Sequence, residues 1–132
     1  YAHTPDGLDA AIAALRPHVS GRLILVFGAG GDRDTGKRPL MGAVAAKGCE
    51  IQIVTDDNPR SEDPVVIRTA IRDAAPDALD IGDRRSAIAH AISMANAGDV
   101  VLIAGKGHEQ GQVVGGRVLP FDDVEVAREC AA

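Results

Sequence analysis

The chain has 132 residues, 45% of them hydrophobic and 25% charged, which is the size and composition of a single globular domain and excludes a disordered or fibrous protein. No apolar run approaches the ~20 residues of a membrane-spanning helix, and no signal-peptide pattern is present, so we expect a cytoplasmic protein without a membrane contact. The net charge of −5 and the scarcity of aromatic residues, one Tyr and two Phe, disfavour a surface that binds nucleic acid.

The first half of the chain alternates helix and strand signals. Thr4 precedes a proline, as an N-cap residue does at the start of a helix, and apolar residues follow at helical spacing. A continuous apolar run between Gly21 and Gly28 is typical of a strand covered on both faces. The predicted elements are a helix from Thr4 to Pro17, a strand over Arg22–Phe27, a helix from Pro39 to Gly48 and a strand over Ile51–Thr55.

The second half continues the alternation and ends with a hairpin and a helix. Gly115-Gly116 can form a two-residue hairpin turn because both glycines accept a positive φ. The predicted elements are a helix from Asp63 to Pro76, a short strand over Leu79–Ile81, a helix from Asp83 to Gly98, a buried strand over Val100–Ala104, hairpin arms over Gln112–Val114 and Arg117–Leu119, and a helix from Asp122 to Cys130.

Strands that alternate with helices of about ten residues are typical of βαβ units. The sequence therefore predicts an α/β fold with three Rossmann-like layers: a mostly parallel sheet, helices on both of its faces, and an antiparallel hairpin at its edge. In such a sheet, ligands bind outside the carboxyl ends of the strands.

Three loops are expected at that edge, over residues 28–38, 56–62 and 105–111, and they hold seven of the fifteen glycines. Charges of both signs suit a ligand that carries ammonium and carboxylate groups, such as an amino acid, because Arg pairs with carboxylates while Asp or Glu accepts from ammonium. The alternative is that these charges only solvate the loops. The charged residues are Arg33, Lys37, Arg38, Arg60, Lys106 and His108, with Asp32, Asp34, Asp56, Asp57, Glu62 and Glu109.

Two motifs come close to nucleotide-binding patterns, but each lacks a required residue. Gly31 to Lys37 spells the G-x-x-x-x-G-K of a phosphate loop, yet Arg38 stands where Ser or Thr would bind Mg²⁺. Gly28-Ala29-Gly30 begins a dinucleotide fingerprint whose third glycine would fall on Arg33, which disfavours NAD. We predict no metal-binding residues in the chain.

Four strings are specific enough to indicate a family: YAHTPD at residues 1–6, GAGGDRDTGKRPLM at 28–41, TDDNPRSEDP at 55–64 and AGKGHE at 104–109. Together they resemble the carboxyl-terminal domain of the Mur ligases, and more narrowly the members that add meso-2,6-diaminopimelate to UDP-N-acetylmuramoyl-L-alanyl-D-glutamate. The match continues to FDDVEVAR near the end. We therefore expect residues 1–132 to be one Mur ligase carboxyl-terminal domain, which binds the amino acid, excised from a three-domain enzyme.

The resemblance implies an ATP-dependent ligase of peptidoglycan precursor synthesis. In that family ATP phosphorylates the peptide's carboxylate, the incoming amine attacks the acyl phosphate, and a tetrahedral intermediate expels phosphate. The carboxyl-terminal domain presents diaminopimelate, while two other domains hold the UDP-muramoyl dipeptide and most of the ATP and Mg²⁺ site. The resemblance thus implies no catalytic residue within this domain and no activity of the isolated domain.

The resemblance also assigns substrate-binding residues. Its D-N-P-R motif falls on residues 57–60 and recognises diaminopimelate, with Asn58 and Arg60 holding the distal carboxylate and ammonium end. Arg33 would be a further carboxylate partner. Asp57 belongs to the same motif. The family's remaining contacts to that end fall on Gly105, through its backbone, and on Glu109 as the ammonium acceptor.

For the nucleotide, the resemblance places His3 and Lys37 near ATP. Two other functions remain open from the residues: a free-standing module that binds amino acids or peptides without ATP chemistry, and a phosphate-loop nucleotidase. Cys49 and Cys130 lie far apart and form no C-x-x-C motif, so we interpret both as structural thiols in a reducing compartment.

Overall fold

Helices and strands alternate along the chain as the sequence predicts. A computed structural model describes residues 4–32, 34–106 and 109–132. Its helices are α1 (Pro5–Leu15), α2 (Lys37–Gly48), α3 (Pro64–Arg72), α4 (Arg84–Met94) and α5 (Asp123–Ala131). Its strands are β1 (Leu23–Phe27), β2 (Ile51–Val54), β3 (Leu79–Asp80), β4 (Val100–Ile103), β5 (Gly111–Val114) and β6 (Arg117–Pro120).

The first four strands form one parallel sheet in the order β3-β2-β1-β4. In its register Ile24 of β1 lies opposite Ile51 on one side and Val101 on the other. All five residues of β1 are fully buried. A strand with neighbours on both sides and helices on both faces has no polar position, which explains its uninterrupted apolar sequence.

Successive side chains of β1 point into two separate cores. Leu23, Leu25 and Phe27 pack with the buried residues of α1, α2 and α3. Ile24 and Val26 pack with those of α4 and α5 on the opposite face. The predicted α/β class, with helices on both faces of a parallel sheet, is confirmed.

The predicted hairpin also forms, as a two-stranded antiparallel sheet of its own. It is joined to the loop after β2 by an isolated bridge between Arg60 and Val114. The prediction that β4 is a buried strand is wrong, because β4 is an edge strand of the sheet and its four residues are only partly buried.

Several helix ends differ from the predicted ones. Helix α2 begins at Lys37, two residues before Pro39. A proline is tolerated at this third helical position because the N–H groups of the first turn have no intrahelical partner. Helices α3 and α4 end at Arg72 and Met94, before the predicted Pro76 and Gly98. Within the described residues, no helix is both long and apolar enough to cross a bilayer.

Candidate functional site

The loops after β1 and β2 are held together by backbone and side-chain hydrogen bonds. The N–H of Gly31 donates to the carbonyl of Asn58 at 2.8 Å, and Arg60 Nη1 donates to the carbonyl of Gly31 at 3.0 Å. A Cβ on Gly31 would lie 1.8 Å from the Pro59 carbonyl oxygen. Only glycine allows this approach, because such a contact is far inside van der Waals distance.

Asn58 joins the loop after β2 to the segment after β4. Its side chain is buried, and its Oδ1 accepts from Lys106 Nζ at 2.8 Å and from the Val113 N–H at 2.9 Å. Its Nδ2 lies 3.5 Å from Glu109 Oε1, which is too long for a strong hydrogen bond. The three loops over residues 28–38, 56–62 and 105–111, here called the rim, therefore meet at Asn58: the first contacts its backbone carbonyl and the third its side-chain amide.

Lys106 is completely buried beneath the rim. Its Nζ lies 3.0 Å from Asp57 Oδ1 and donates to the Gly111 carbonyl at 2.9 Å. The contact with Asp57, itself 4% exposed, is an ion pair and not an aligned hydrogen bond. Gly105 has φ +114°, and a Cβ there would lie 2.9 Å from Asp57 Oδ2, so this position also requires glycine.

Arg60 has a left-handed backbone, with φ +54°, which is uncommon for a residue with a side chain. The hairpin stabilises it, because the Arg60 N–H donates to the Val113 carbonyl at 3.0 Å and the Gly115 N–H donates to the Arg60 carbonyl. Its Nη1 also lies 3.4 Å from the Asn58 carbonyl. Among the residues that the structure describes, the guanidinium forms hydrogen bonds through Nη1 alone.

Several of the rim charges form ion pairs within the protein, which the sequence analysis did not predict. Arg38 is 2% exposed and pairs with Glu62 through two hydrogen bonds of 2.6 and 2.8 Å. These bonds hold the pKa of Glu62 at about 2. Asp56 pairs with Arg68 at 2.6 Å, although burial raises the pKa of Asp56 above its usual range. The mixed signs of the loops are therefore partly explained by internal pairs.

Arg84 is a second residue that the sequence analysis missed. It is buried and forms two hydrogen bonds of 2.7 Å with Asp123. It also donates to the carbonyls of Asp56 at 3.2 Å and Ala104 at 3.1 Å, where β2 and β4 end. No local signal distinguishes this residue from a solvent-exposed arginine in the first turn of a helix.

The structure brings five of the predicted site residues together: Asp57, Asn58, Arg60, Gly105 and Glu109. Lys37 is the first residue of α2 and is partly buried. The predictions for Arg33 and His3 lie outside the described residues.

The loop from Gly31 to Lys37 does not offer its backbone as a phosphate loop would. A phosphate loop directs its N–H groups at the anion. Here the Gly31 N–H donates to the Asn58 carbonyl, the Asp32 N–H donates to Glu62 Oε1 at 3.0 Å, and the Gly36 N–H donates to Asp34 Oδ1 at 2.9 Å. These contacts disfavour the nucleotidase alternative.

A cleft of about 620 Å³ between the hairpin and α5 is lined by other residues. These include Gln110, Gln112, Phe121 and Glu125. Within 4–32, 34–106 and 109–132, no cluster of three or more His, Cys, Asp or Glu residues could hold a metal ion.

Comparisons with known proteins agree with the motifs. The family model described as "Mur ligase, glutamate ligase domain" matches residues 1–107. A UDP-N-acetylmuramoyl-L-alanyl-D-glutamate–2,6-diaminopimelate ligase of Caulobacter vibrioides is 68% identical over 124 residues, and one of Zymomonas mobilis is 63% identical over 133 residues. These alignments cover 94% and 98% of this chain but only 26% and 27% of those proteins.

Solved structures show the same fold. A structure titled as the same kind of ligase superimposes with a TM-score of 0.94 at 47% identity, over 99% of this chain and 28% of that one. A domain of a Haemophilus ducreyi protein has a TM-score of 0.62 at 15% identity, over 99% of this chain and 84% of that one, and shows the fold alone. The chain spans about a quarter of the length of its curated relatives, and it belongs to the Mur ligase family, whose glutamate ligase domain it matches.

Proposed function

We propose that the chain is the amino-acid-presenting domain of an ATP-dependent ligase that adds meso-2,6-diaminopimelate to UDP-N-acetylmuramoyl-L-alanyl-D-glutamate in peptidoglycan precursor synthesis. The names of the two bacterial relatives support this reaction. The proposal assigns catalysis to the other two domains of such a ligase.

The observation that carries the proposal is the meeting of opposite charges at Asn58. Arg60 contacts its backbone carbonyl at 3.4 Å, and Glu109 lies 3.5 Å from its side-chain nitrogen. A guanidinium is suited to a carboxylate, and a glutamate accepts hydrogen bonds from ammonium. Diaminopimelate carries one carboxylate and one ammonium at each end, so one end can be held while the other amine reacts.

The same arrangement supports selectivity against lysine. Lysine lacks the distal carboxylate, so Arg60 would lose its ligand partner when lysine occupies the site. A site built to hydrogen-bond a substrate group rejects the analogue that lacks it, because the site's polar groups are then left unpaired. Arg33 would add a second guanidinium in this proposal.

In the proposal, ATP and Mg²⁺ are bound mainly by the central domain, with Lys37 and His3 approaching the nucleotide from this one. The amino group of Lys37 at the start of α2 is suited to a phosphate oxygen. Bound ATP supplies the phosphoryl group that activates the peptide's carboxylate. Two free cysteines, one of them buried with its pKa raised to about 11, suit the reducing cytoplasm, where we place the reaction.

The test is ATP-dependent ligation by the full-length protein with diaminopimelate or lysine as the amino acid. Replacing Arg60 with alanine should lower kcat/KM for diaminopimelate by the equivalent of roughly 2–5 kcal/mol, which is the range for removing one member of a buried charge pair. Arg60→Lys should fail similarly, because a point charge cannot reproduce the planar fork. Arg128→Ala, at an exposed residue of α5, is the matched control.

Unchanged KM and selectivity in both Arg60 variants would contradict the assignment of the site. Failure of the unmodified full-length protein to ligate diaminopimelate would contradict the reaction itself. Binding of diaminopimelate without any ATP-dependent ligation would favour the alternative of a binding module.

A further inference from the structure

The side-chain amide of Asn58 can adopt only one orientation. The two groups nearest its Oδ1 are Lys106 Nζ, at 2.8 Å, and the Val113 N–H, at 2.9 Å. An ammonium group and a backbone N–H are donors only, so the atom that faces them must be the carbonyl oxygen. Turning the amide over would set its NH₂ group against two donors in a buried position, which is costly.

This orientation decides what Asn58 presents to a ligand. Its oxygen is committed to Lys106 and Val113, and its Nδ2 lies on the side of Glu109, 3.5 Å from Oε1. The rim therefore receives donors from Asn58 and no acceptor. A donor binds a carboxylate, whereas it does not bind an ammonium group.

Lys106 is committed to protein groups and is not placed to reach a ligand. Its Nζ donates to Asn58 Oδ1 at 2.8 Å and to the Gly111 carbonyl at 2.9 Å, and it forms an ion pair with Asp57 Oδ1 at 3.0 Å. The residue is completely buried. Any influence of Lys106 on the ligand must therefore pass through the residues that it holds.

We propose that Lys106 is a positioning residue for amino-acid selectivity: it holds the Asn58 amide with its NH₂ group toward the rim, so that Asn58 binds the distal carboxylate and leaves the ammonium group to Glu109. This inference depends on the proposed function, since the selectivity concerned is that of diaminopimelate over lysine. Asp57 neutralises the buried ammonium and keeps it in place.

Asn58→Asp in the full-length protein tests the orientation directly. The aspartate keeps an acceptor for Lys106 and Val113, but it replaces the outward NH₂ group with an oxygen that repels the substrate's carboxylate. We expect the KM for diaminopimelate to rise roughly 100-fold, with the KM for ATP unchanged. The melting temperature should fall, because the new carboxylate is buried and faces Glu109. A KM for diaminopimelate equal to that of the unmodified protein would overturn the proposal.

Lys106→Met tests the positioning residue, and the double variant Asp57→Asn with Lys106→Met does so without leaving a buried carboxylate unpaired. Both should lower the selectivity for diaminopimelate over lysine about 10-fold or more, while Lys106→Gln, which keeps an N–H donor, should retain part of it. Lys47→Met, at an exposed lysine of α2, is the control.

Folded Lys106 variants that keep the full selectivity would overturn the proposal, because a merely structural lysine would change the melting temperature and not the choice of amino acid. Should neither Lys106→Met nor the double variant fold, Lys106→Gln decides, since full selectivity in that variant would overturn the proposal. Failure of the unmodified protein to ligate diaminopimelate would contradict the proposed function and is a separate result.

Discussion

Gly31 shows how one missing side chain permits a contact between loops. As the first glycine of a near phosphate-loop motif, it suggests nucleotide binding from sequence alone. In the structure its N–H and its carbonyl both bind the loop after β2, through Asn58 and Arg60. Its role is thus to let two loops approach, so that the loop after β1 lies against Asn58 and the Arg60 guanidinium.

Replacing Gly31 with alanine should lower the free energy of unfolding by about 1–3 kcal/mol, the usual cost of inserting a methyl group into a closely packed position. The added Cβ would meet the Pro59 carbonyl at 1.8 Å. Urea unfolding of the chain measures the effect. Gly116→Ala is the control, since no described residue other than its chain neighbours lies within 4 Å of the added Cβ, and it should stay within about 0.5 kcal/mol of the unmodified chain. Equal midpoints for the two variants would contradict this prediction.

At the scale of elements, helix α2 begins with two cations where a helix favours an anion. Lys37 and Arg38 occupy its first two positions, and the N-cap residue Gly36 offers no side-chain acceptor. The helix dipole disfavours positive charge at this end. Glu62, from the loop before α3, compensates by pairing with Arg38 and by accepting from the Asp32 N–H.

This compensation makes a pH-dependent contribution to stability. The pKa of Glu62 is lowered from 4.5 to about 2 because Arg38 donates hydrogen bonds to the carboxylate. A carboxyl group with a lowered pKa stabilises the fold fully above its ordinary pKa and loses that contribution as the pH falls toward the folded value. The stabilisation by Glu62 should therefore be complete at pH 7 and decline between about pH 4.5 and 2.

Urea unfolding of Glu62→Gln and the unmodified chain at several pH values checks this. The variant should be less stable at pH 7, and the difference should shrink steadily as the pH approaches 2. Glu125→Gln, at an exposed residue of α5, is the matched control for loss of one negative charge. A difference between Glu62→Gln and the unmodified chain that is the same at pH 7 and pH 3 would refute the ion pair's role.

At the scale of the whole molecule, stability is concentrated in the middle of the sheet. Strand β1 is fully buried and is paired on both sides. Strand β6, in contrast, has four exposed residues and pairs with β5 alone within the described part of the chain. The site lies between these two regions, since Arg60 bonds to the hairpin on one side and to Gly31 on the other.

Amide hydrogen exchange should reflect this difference. The β1 amides should exchange only through global unfolding, whereas the β6 amides should exchange through local opening at a lower free energy. Exchange of β1 should then accelerate strongly with urea below the unfolding midpoint, and exchange of β6 only weakly. Equal protection and equal urea dependence in the two strands would contradict this description.

Much of the fold was predictable because its signals are local. The N-caps Thr4, Asp63, Asp83 and Asp122 each accept a backbone hydrogen bond at the start of a helix, as their sequence positions indicate. The apolar run of β1 likewise predicts a central strand. The sequence predicted the end of α3 too far along the chain, and the cause is local. After α3, hydrogen bonds between residues three apart, such as Ala75 N–H to the Arg72 carbonyl at 3.0 Å, replace the helical pattern.

The sequence by itself determined the order of helices and strands, the parallel sheet, and the loops that carry the D-N-P-R and AGKGHE motifs. Only the tertiary structure decided which charges pair: Arg38 with Glu62, Lys106 with Asp57, and Arg84 with Asp123. Capping and apolar periodicity act over a few residues and can be read along the chain. The partners of a buried charge lie far away in the sequence: Glu62 is 24 residues from Arg38, and Asn58 is 48 residues from Lys106. These residues meet because parallel strands end at one edge of the sheet.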